Sequence, residues 1–374
     1  MGHAAKVLFS DTCHDANMLY WSGISVTDPF LAIEYQNRRI AIISTLERDR
    51  LRQHSHFDDI FTWEDYLSPK ETSLPIFQKI GRVLSLFQKK ENIALWHIPS
   101  HFPSAALVAL QQQNLLFEIQ ENPFLPERVI KKEREIAELR QAAKITSEAM
   151  ESTRQILAQC QIASNNTLLF EGLPVTSEFL RSHIELFCFQ KGALAENTIA
   201  SCGPQSAFPH EEGSWIIRAQ SFIVIDIFPR LKSSGYFGDM TRTYIKGTPS
   251  PQQEKIYSSV LEAHRQSVLR VCAGASAEEI HDHNVAFFEE QGFPTRITRD
   301  SCTGFIHSTG HGVGLDIHEE PRLFHGAGRL SKDMVITIEP GLYYPDGGVR
   351  IEDTLLVHEK DGEKLTQGTY DWIL

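Results

Sequence analysis

The chain has 374 residues, 41% hydrophobic and 22% charged, so it can bury a large core without disulfides or a structural metal, and two domains are expected. Acidic residues outnumber basic ones by 48 to 36, and the net charge of -12 argues against nucleic acid and anionic membranes as partners, because both are held by basic surfaces. The six cysteines include no C-x-x-C pair and are expected to be reduced thiols of a cytoplasmic protein; no apolar run suits a signal peptide or reaches membrane-spanning length.

The opening Met1-Gly2-His3 is given no function. Short apolar runs then alternate with helical stretches: "RRIAIIS" and "NIALWHI" predict buried strands, and "LPIFQKIGRVLSLFQKK" predicts an amphipathic helix. Together they predict a small α/β domain over residues 1–125. "CHD", Cys13 to Asp15, is expected to be a loop with solvated side chains, because three adjacent residues on a regular element do not all face one ion. Pro123 and Pro126 in "ENPFLPE" interrupt regular structure. After them Ile136, Leu139, Ala143 and Met150 recur at helical spacing, which predicts a long helix opening a second domain over 126–374.

Two segments of that domain share a layout. "FIVIDIFPRLKSSGYFGDMTRTYI" and "VITIEPGLYYPDGGVRIEDTLLV" each hold a β-rich run, an acid, a turn and a second β-rich run with another acid. Asp226 and Asp239 are 13 residues apart, as are Glu339 and Glu352, and one offset of 113 also matches Gly235 with Gly348 and Thr241 with Thr354. The pattern predicts a degenerate internal repeat of two β-hairpins, each presenting a pair of acids across neighbouring strands, about 4.5–5.5 Å apart. A single buried acid would more simply pair with an arginine such as Arg242 or Arg350. Four at matched positions would repel unless cations lay between them, which points to divalent metal.

Between the hairpins lies "HSTGHGVGLDIHEEP". Gly310 and Gly312 flank His311, where a tight turn could bring its imidazole to an ion. "GLDIHEEP" alternates as a short strand would, with Asp316 and His318 on one face and Leu315 and Ile317 on the other. Four carboxylates and one imidazole with no thiolate suit two divalent ions, Mn²⁺ foremost, with Co²⁺, Zn²⁺ or Fe²⁺ also compatible.

The ordered pieces "VIDIF", "GDMTRT", "HSTGHGVGLDIHEEP", "TIEPGLYY" and "VRIEDT" resemble the metallopeptidase family of the pita-bread fold, which includes aminopeptidase P, prolidase and methionine aminopeptidase. "MLYWSGI" and "RRIAIISTLERDRL" resemble the creatinase-type N-terminal domain, which favours the proline-specific branch. The implied fold is mixed α/β (α+β), a small α/β domain followed by a pita-bread domain with a pseudo-twofold repeat. The resemblance implies Asp226, Asp239, His311, Glu339 and Glu352 as metal ligands. It implies His210 and Glu339, with His318, as catalytic groups, and His307 and His318 on the substrate side. Arg350 shares a strand face with Glu352, which fits contact with substrate or support of the ligands from behind. Four departures stand out: Phe228 where the family commonly has Gly, Gly238 where it has Ser, a first hairpin turn about two residues longer than usual, and Glu211 and Glu212 after His210 in place of an aromatic.

The implied activity is that of a dinuclear aminopeptidase that hydrolyses the N-terminal Xaa-Pro bond through a metal-bridging hydroxide. Its partner would be a peptide with proline in second position, and a homodimer is implied as well. The alternatives are an Xaa-Pro dipeptidase (prolidase) and, from a different class, a non-catalytic pita-bread binding protein.

Overall fold

The structure, a computed structural model, describes residues 3–374; Met1 and Gly2, to which no function was given, lie outside the described residues. Internal packing divides the chain into two units, Met1–Arg128 and Val129–Leu374.

In the first unit six strands form one mixed sheet: β1 (His3–Ser10), β2 (Phe30–Tyr35), β3 (Arg38–Ile43), β4 (Asp59–Thr62), β5 (Ile93–Pro99) and β6 (Phe117–Gln120), in the order β4-β3-β2-β1-β5-β6. The helices are α1 (Ala16–Ser22), α2 (Thr45–His54), α3 (Ile76–Glu91) and α4 (Ser104–Gln112). Alternation along the strands sends Val7, Leu31, Ile33, Ile40 and Ile42 to one face, where Ile80, Val83, Leu84 and Phe87 of α3 and Leu110 of α4 cover them. Both quoted strands and the quoted helix form as expected. The "CHD" segment is a loop with His14 exposed, as expected, but Asp15 departs from the expectation. Asp15 is buried, accepts hydrogen bonds from the backbone N–H of Asn17 and Met18 as the N-cap of α1, and lies 2.9 Å from His101 Nε2. An acid next to a helix start is drawn in by the unsatisfied N–H groups there.

The second unit opens with the predicted long helix, α5 (Glu133–Gln159), followed by α6 (Ser177–Gln190). Its first sheet is β7 (Ile199–Cys202), β8 (Ile223–Ile227) and β9 (Met240–Tyr244). Helices α7 (Pro251–Arg270) and α8 (Ala277–Glu290) follow. The second sheet contains β10 (Gly310–Gly312), β11 (Glu319–Leu323), β12 (Val335–Ile338), β15 (Asp353–Val357) and β16 (Gly362–Lys364), ordered β11-β10-β12-β15-β16. Between β12 and β15 the chain makes a separate hairpin of β13 (Gly341–Tyr344) and β14 (Gly347–Arg350). Two helices followed by a sheet thus occur twice. Ala142, Ile145 and Met150 of α5 and Leu180 and Ile184 of α6 pack on Ile223, Ile225 and Ile227 of β8. Ile280 of α8 packs with Ile336 and Ile338 of β12 and Leu355 and Val357 of β15. No helix among the described residues is long and apolar enough to cross a membrane.

Candidate active site

Strand parity decides where the acids point. Because Ile223, Ile225 and Ile227 enter the core beneath α5 and α6, Val224 and Asp226 take the opposite face of β8. Likewise Ile336 and Ile338 enter the core under α8, so Thr337, and Glu339 just past the strand, face the other way. Leu355 and Val357 leave Glu352 and Thr354 on the face away from that core.

The two sheets meet along β9 and residues 350–354. Glu352 N donates to Thr241 O at 3.1 Å, Thr241 Oγ1 to Glu352 Oε2 at 2.8 Å, and Thr354 Oγ1 to Asp239 O at 2.8 Å. The matched threonines of the repeat therefore join its two halves. The hairpin registers are not identical, which corrects the expectation of two equivalent acid pairs. In the second hairpin Ile338 faces Asp353, so the register, continued by one residue, sets Glu339 opposite Glu352. In the first, Asp226 faces Thr241, and Asp239 lies beyond Met240, the partner of Ile227. The shift is two residues, so the face is preserved although the pairing is not. Gly238, just before Asp239, is needed here because a Cβ would lie 2.2 Å from Thr146 Oγ1 and 2.8 Å from Ala142 O of α5.

His311 lies on β10, its Nε2 3.6 Å from Asp239 Oδ2 and 3.4 Å from Glu339 Oε1. Its Nδ1 donates to Gly312 O at 3.1 Å, which fixes the tautomer and leaves the Nε2 lone pair facing the acids. The flanking glycines serve close approach and not a tight turn: a Cβ on Gly310 would lie 2.0 Å from Thr337 O, and one on Gly312 2.3 Å from Glu320 O. "GLDIH" is not the expected strand. Residues 314–318 form bends that return the chain into β11, held by Phe237 N donating to Gly314 O and Gly314 N to Asp316 O. The bend still brings His318 over His311, with ring centroids 4.4 Å apart.

The electrostatics of this cluster are unbalanced. Burial, then the charges of Asp226 and Glu339, pushes Asp239 well above the ordinary carboxylate range; burial, then Asp239 and Glu339, does the same to Glu352. Burial raises Glu339 to about 8. Burial, reinforced by His318, lowers His311 to about 3, so its ring is neutral. Asp226 does pair with Arg350, at 2.7 Å through Oδ2, but its buried Oδ1 has no hydrogen-bond partner among the described residues. The donor atoms of Asp239, His311 and Glu352 lie within 4.8 Å of one another. Neutral imidazole, crowded carboxylates and an orphaned carboxylate oxygen are the donor set that divalent cations require, and the residues fit them.

All nine residues proposed from the sequence line one cavity of about 540 Å³: Asp226, Asp239, His311, Glu339 and Glu352 with His210, His307, His318 and Arg350. His210 and His318 are exposed and make no hydrogen bond among the described residues. His307 is engaged at both nitrogens: Nδ1 donates to Ser308 O at 2.8 Å, and Nε2 accepts from Tyr343 Oη at 2.9 Å. Arg350 is also engaged at every nitrogen, donating to Thr241 Oγ1 (3.2 Å), Tyr343 Oη (2.8 Å) and Asp226 Oδ2 (2.7 Å). That geometry favours support of Asp226 over a grip on substrate. Two further residues escaped the sequence reading. Tyr343 links His307 to Arg350, and Arg322, on β11 at the cavity wall, is exposed with its guanidinium making no hydrogen bond among the described residues. A basic residue directly after "HEEP" was the available signal for Arg322.

Buried acids and a neutral histidine around an open cavity define a candidate divalent-metal centre. The description of metallopeptidase family M24 matches residues 137–359, more than half of the chain, and the chain belongs to that family. An Xaa-Pro dipeptidase of Pyrococcus horikoshii is 29% identical over 308 residues, covering 80% of this chain and 81% of the relative. An Xaa-Pro dipeptidase of Pyrococcus furiosus is 40% identical over 176 residues, 46% of this chain and 48% of the relative, so that match spans about half of its length. The solved structure of the prolidase from Pyrococcus furiosus superposes with a TM-score of 0.79 at 26% identity, covering 98% of this chain and 96% of that one. The family resemblance and the mixed α/β pita-bread fold expected from the sequence are thereby borne out.

Proposed function

We propose that the chain is a two-metal aminopeptidase that hydrolyses the bond between an N-terminal residue and a proline in second position. The observation that carries the reading is the cluster of buried, mutually repelling acids around a neutral His311, open to a cavity. Asp226, Asp239, His311, Glu339 and Glu352 would hold two divalent ions, for which Mn²⁺ suits an oxygen-rich set without thiolate. Such ions supply an acidified water and polarise the scissile carbonyl. Glu339 has the most accessible side chain of the buried acids at the His311 contact, 15% against 6% for Asp239, and is placed to take a proton and pass it to the departing amine. His210 and His318, which make no hydrogen bond among the described residues, would face the tetrahedral intermediate. Proline lacks an N–H and leaves as a secondary amine, so a site for it offers a ring surface and a proton in place of an acceptor. The His307 ring, its nitrogens already satisfied, provides such a surface.

A restriction to dipeptides is favoured by one observation, the Arg322 guanidinium at the cavity wall, unpaired among the described residues, which could hold a free proline carboxylate. With Mn²⁺ present, Ala-Pro and Ala-Pro-Ala should be cleaved far faster than Ala-Ala-Ala. Equal rates on the two tripeptides would sink proline specificity, and cleavage of Ala-Pro alone would select the dipeptidase. A chain that binds metal and cleaves none of them would be the binding protein.

Residues 1–125 as a creatinase-type domain and 126–374 as the catalytic domain belong to the same proposal, and the division of internal packing after Arg128 supports them. So do a cytoplasmic location, supported by six free cysteines, and a homodimer.

A further inference from the structure

The cavity carries a carboxylate that the proposed chemistry does not use. Glu212 lines it from the loop that follows His210, with its side chain 48% exposed. That carboxylate accepts no hydrogen bond among the described residues. Its nearest cation is Arg181, whose Nε is 4.0 Å away and whose Nη1 is committed to the carbonyls of Glu212 and Gly213. Arg181 therefore fastens the loop backbone more than it neutralises the side chain.

The position of Glu212 relative to the reacting centre follows from backbone pairing. Ala200 N donates to Glu212 O at 2.9 Å, so the loop runs beside β7. On β7, Ile199 is directly opposite Asp226 of β8 and shares its face, and Ile199 also lines the cavity. Two strand spacings, about 10 Å in all, separate the Asp226 backbone from that of Glu212. The path between them is apolar over Ile199 and ends in a half-exposed carboxylate whose nearest cation, Arg181, stands 4.0 Å away. A substrate with its amine and first carbonyl at the acid cluster would project its first side chain along this path. Small or apolar side chains end over Ile199. The stem of a lysine or arginine can lie on Ile199 while its charged head reaches Glu212.

We propose that Glu212 is a specificity-determining residue that selects a cationic first residue, so that Arg-Pro and Lys-Pro are the preferred ends; the assignment rests on the Xaa-Pro reading. It assigns a task to one of the two acids that stand after His210 where the family commonly has an aromatic.

The test compares Mn²⁺-loaded wild type and Glu212→Gln on Arg-Pro and citrulline-Pro, which are nearly isosteric and differ in charge. Wild type should favour Arg-Pro in kcat/KM by about fivefold at low salt, the upper range for a partly exposed ion pair, and the ratio should shrink as salt is added. Glu212→Gln should bring the ratio close to one, and Glu212→Lys should invert it. Because each ratio is taken within one protein, the fraction folded cancels. Equal rates on both substrates in wild type, or a ratio unaltered in Glu212→Gln, overturn the role of Glu212 alone. Hydrolysis of neither substrate by wild type overturns the Xaa-Pro reading and this assignment with it.

Discussion

Glu352 and Asp353 are consecutive, both buried, and point to opposite faces of their strand. Asp353 faces a compensated environment. Its Oδ1 accepts from Arg242 Nη2 at 2.8 Å and Thr366 Oγ1 at 3.0 Å; its Oδ2 accepts from Tyr370 Oη at 2.5 Å, with Lys364 Nζ 3.3 Å away. His264 Nε2 is 3.2 Å from the same oxygen, though without hydrogen-bond alignment. Burial alone would raise Asp353, but Arg242, His264 and Lys364 together hold it well below the ordinary carboxylate range. Glu352 faces Asp239 and Glu339 and is pushed the other way. The fold can neutralise a buried acid on this strand and does so one residue away. The charge left uncompensated at Glu352 is therefore a property of a site and not of the strand. Arg242 also ties the two faces together, since its Nη1 donates to Glu352 O at 2.6 Å and Thr241 O at 2.9 Å.

The contrast predicts opposite signs for neighbouring substitutions. Asp353→Ala leaves Arg242 and Lys364 without their partner and should destabilise the metal-free protein by about 3–5 kcal/mol, read from thermal or denaturant unfolding. Glu352→Gln removes repulsion and should leave the metal-free melting temperature unchanged or higher. The same change should lower Mn²⁺-supported turnover by roughly 10³-fold, as the loss of several kcal/mol of charge stabilisation implies. Equal destabilisation by both changes would erase the distinction, and near wild-type turnover in Glu352→Gln would remove it from the ligand set.

A smaller effect sharpens the comparison through pH. In the metal-free fold Glu339 titrates near 8 against an ordinary 4.5. Between those values the native state holds a proton that the unfolded chain has lost, so stability is fullest below 4.5 and declines as pH rises through about 8. Bound metal requires the ionised acid and removes that loss. The rise in melting temperature on adding Mn²⁺ should therefore grow from pH 5 to pH 8; a rise that stays flat or shrinks would show that these acids are not the ligands.

Much of this was legible in the sequence because acids at equal spacing in two β-rich segments report a repeat, and a repeat reports a shared face. Alternation in "FIVIDI" is enough to place Asp226 away from the core. The hairpin registers were only partly legible: the first turn stands out as about two residues too long for the family, but equal spacing between acids does not reveal that Asp226 falls opposite Thr241. Nor was the purpose of Gly310 and Gly312. A glycine in sequence does not tell a tight turn from a close approach, and here the obstacle is backbone of β12 and β11, supplied by segments further along the chain. Pairing of a buried acid with Arg350 was legible as the simpler alternative, but its coexistence with the acid cluster and the link through Tyr343 to His307 were not.

The central claim is that the uncompensated acids form a two-ion site. Calorimetric titration of metal-free protein with Mn²⁺ at pH 7, run in two buffers of different ionisation enthalpy, tests it most directly. The account predicts two ions per chain with net release of protons to the buffer. Binding of fewer than two ions, or of two ions with no proton released, would contradict it.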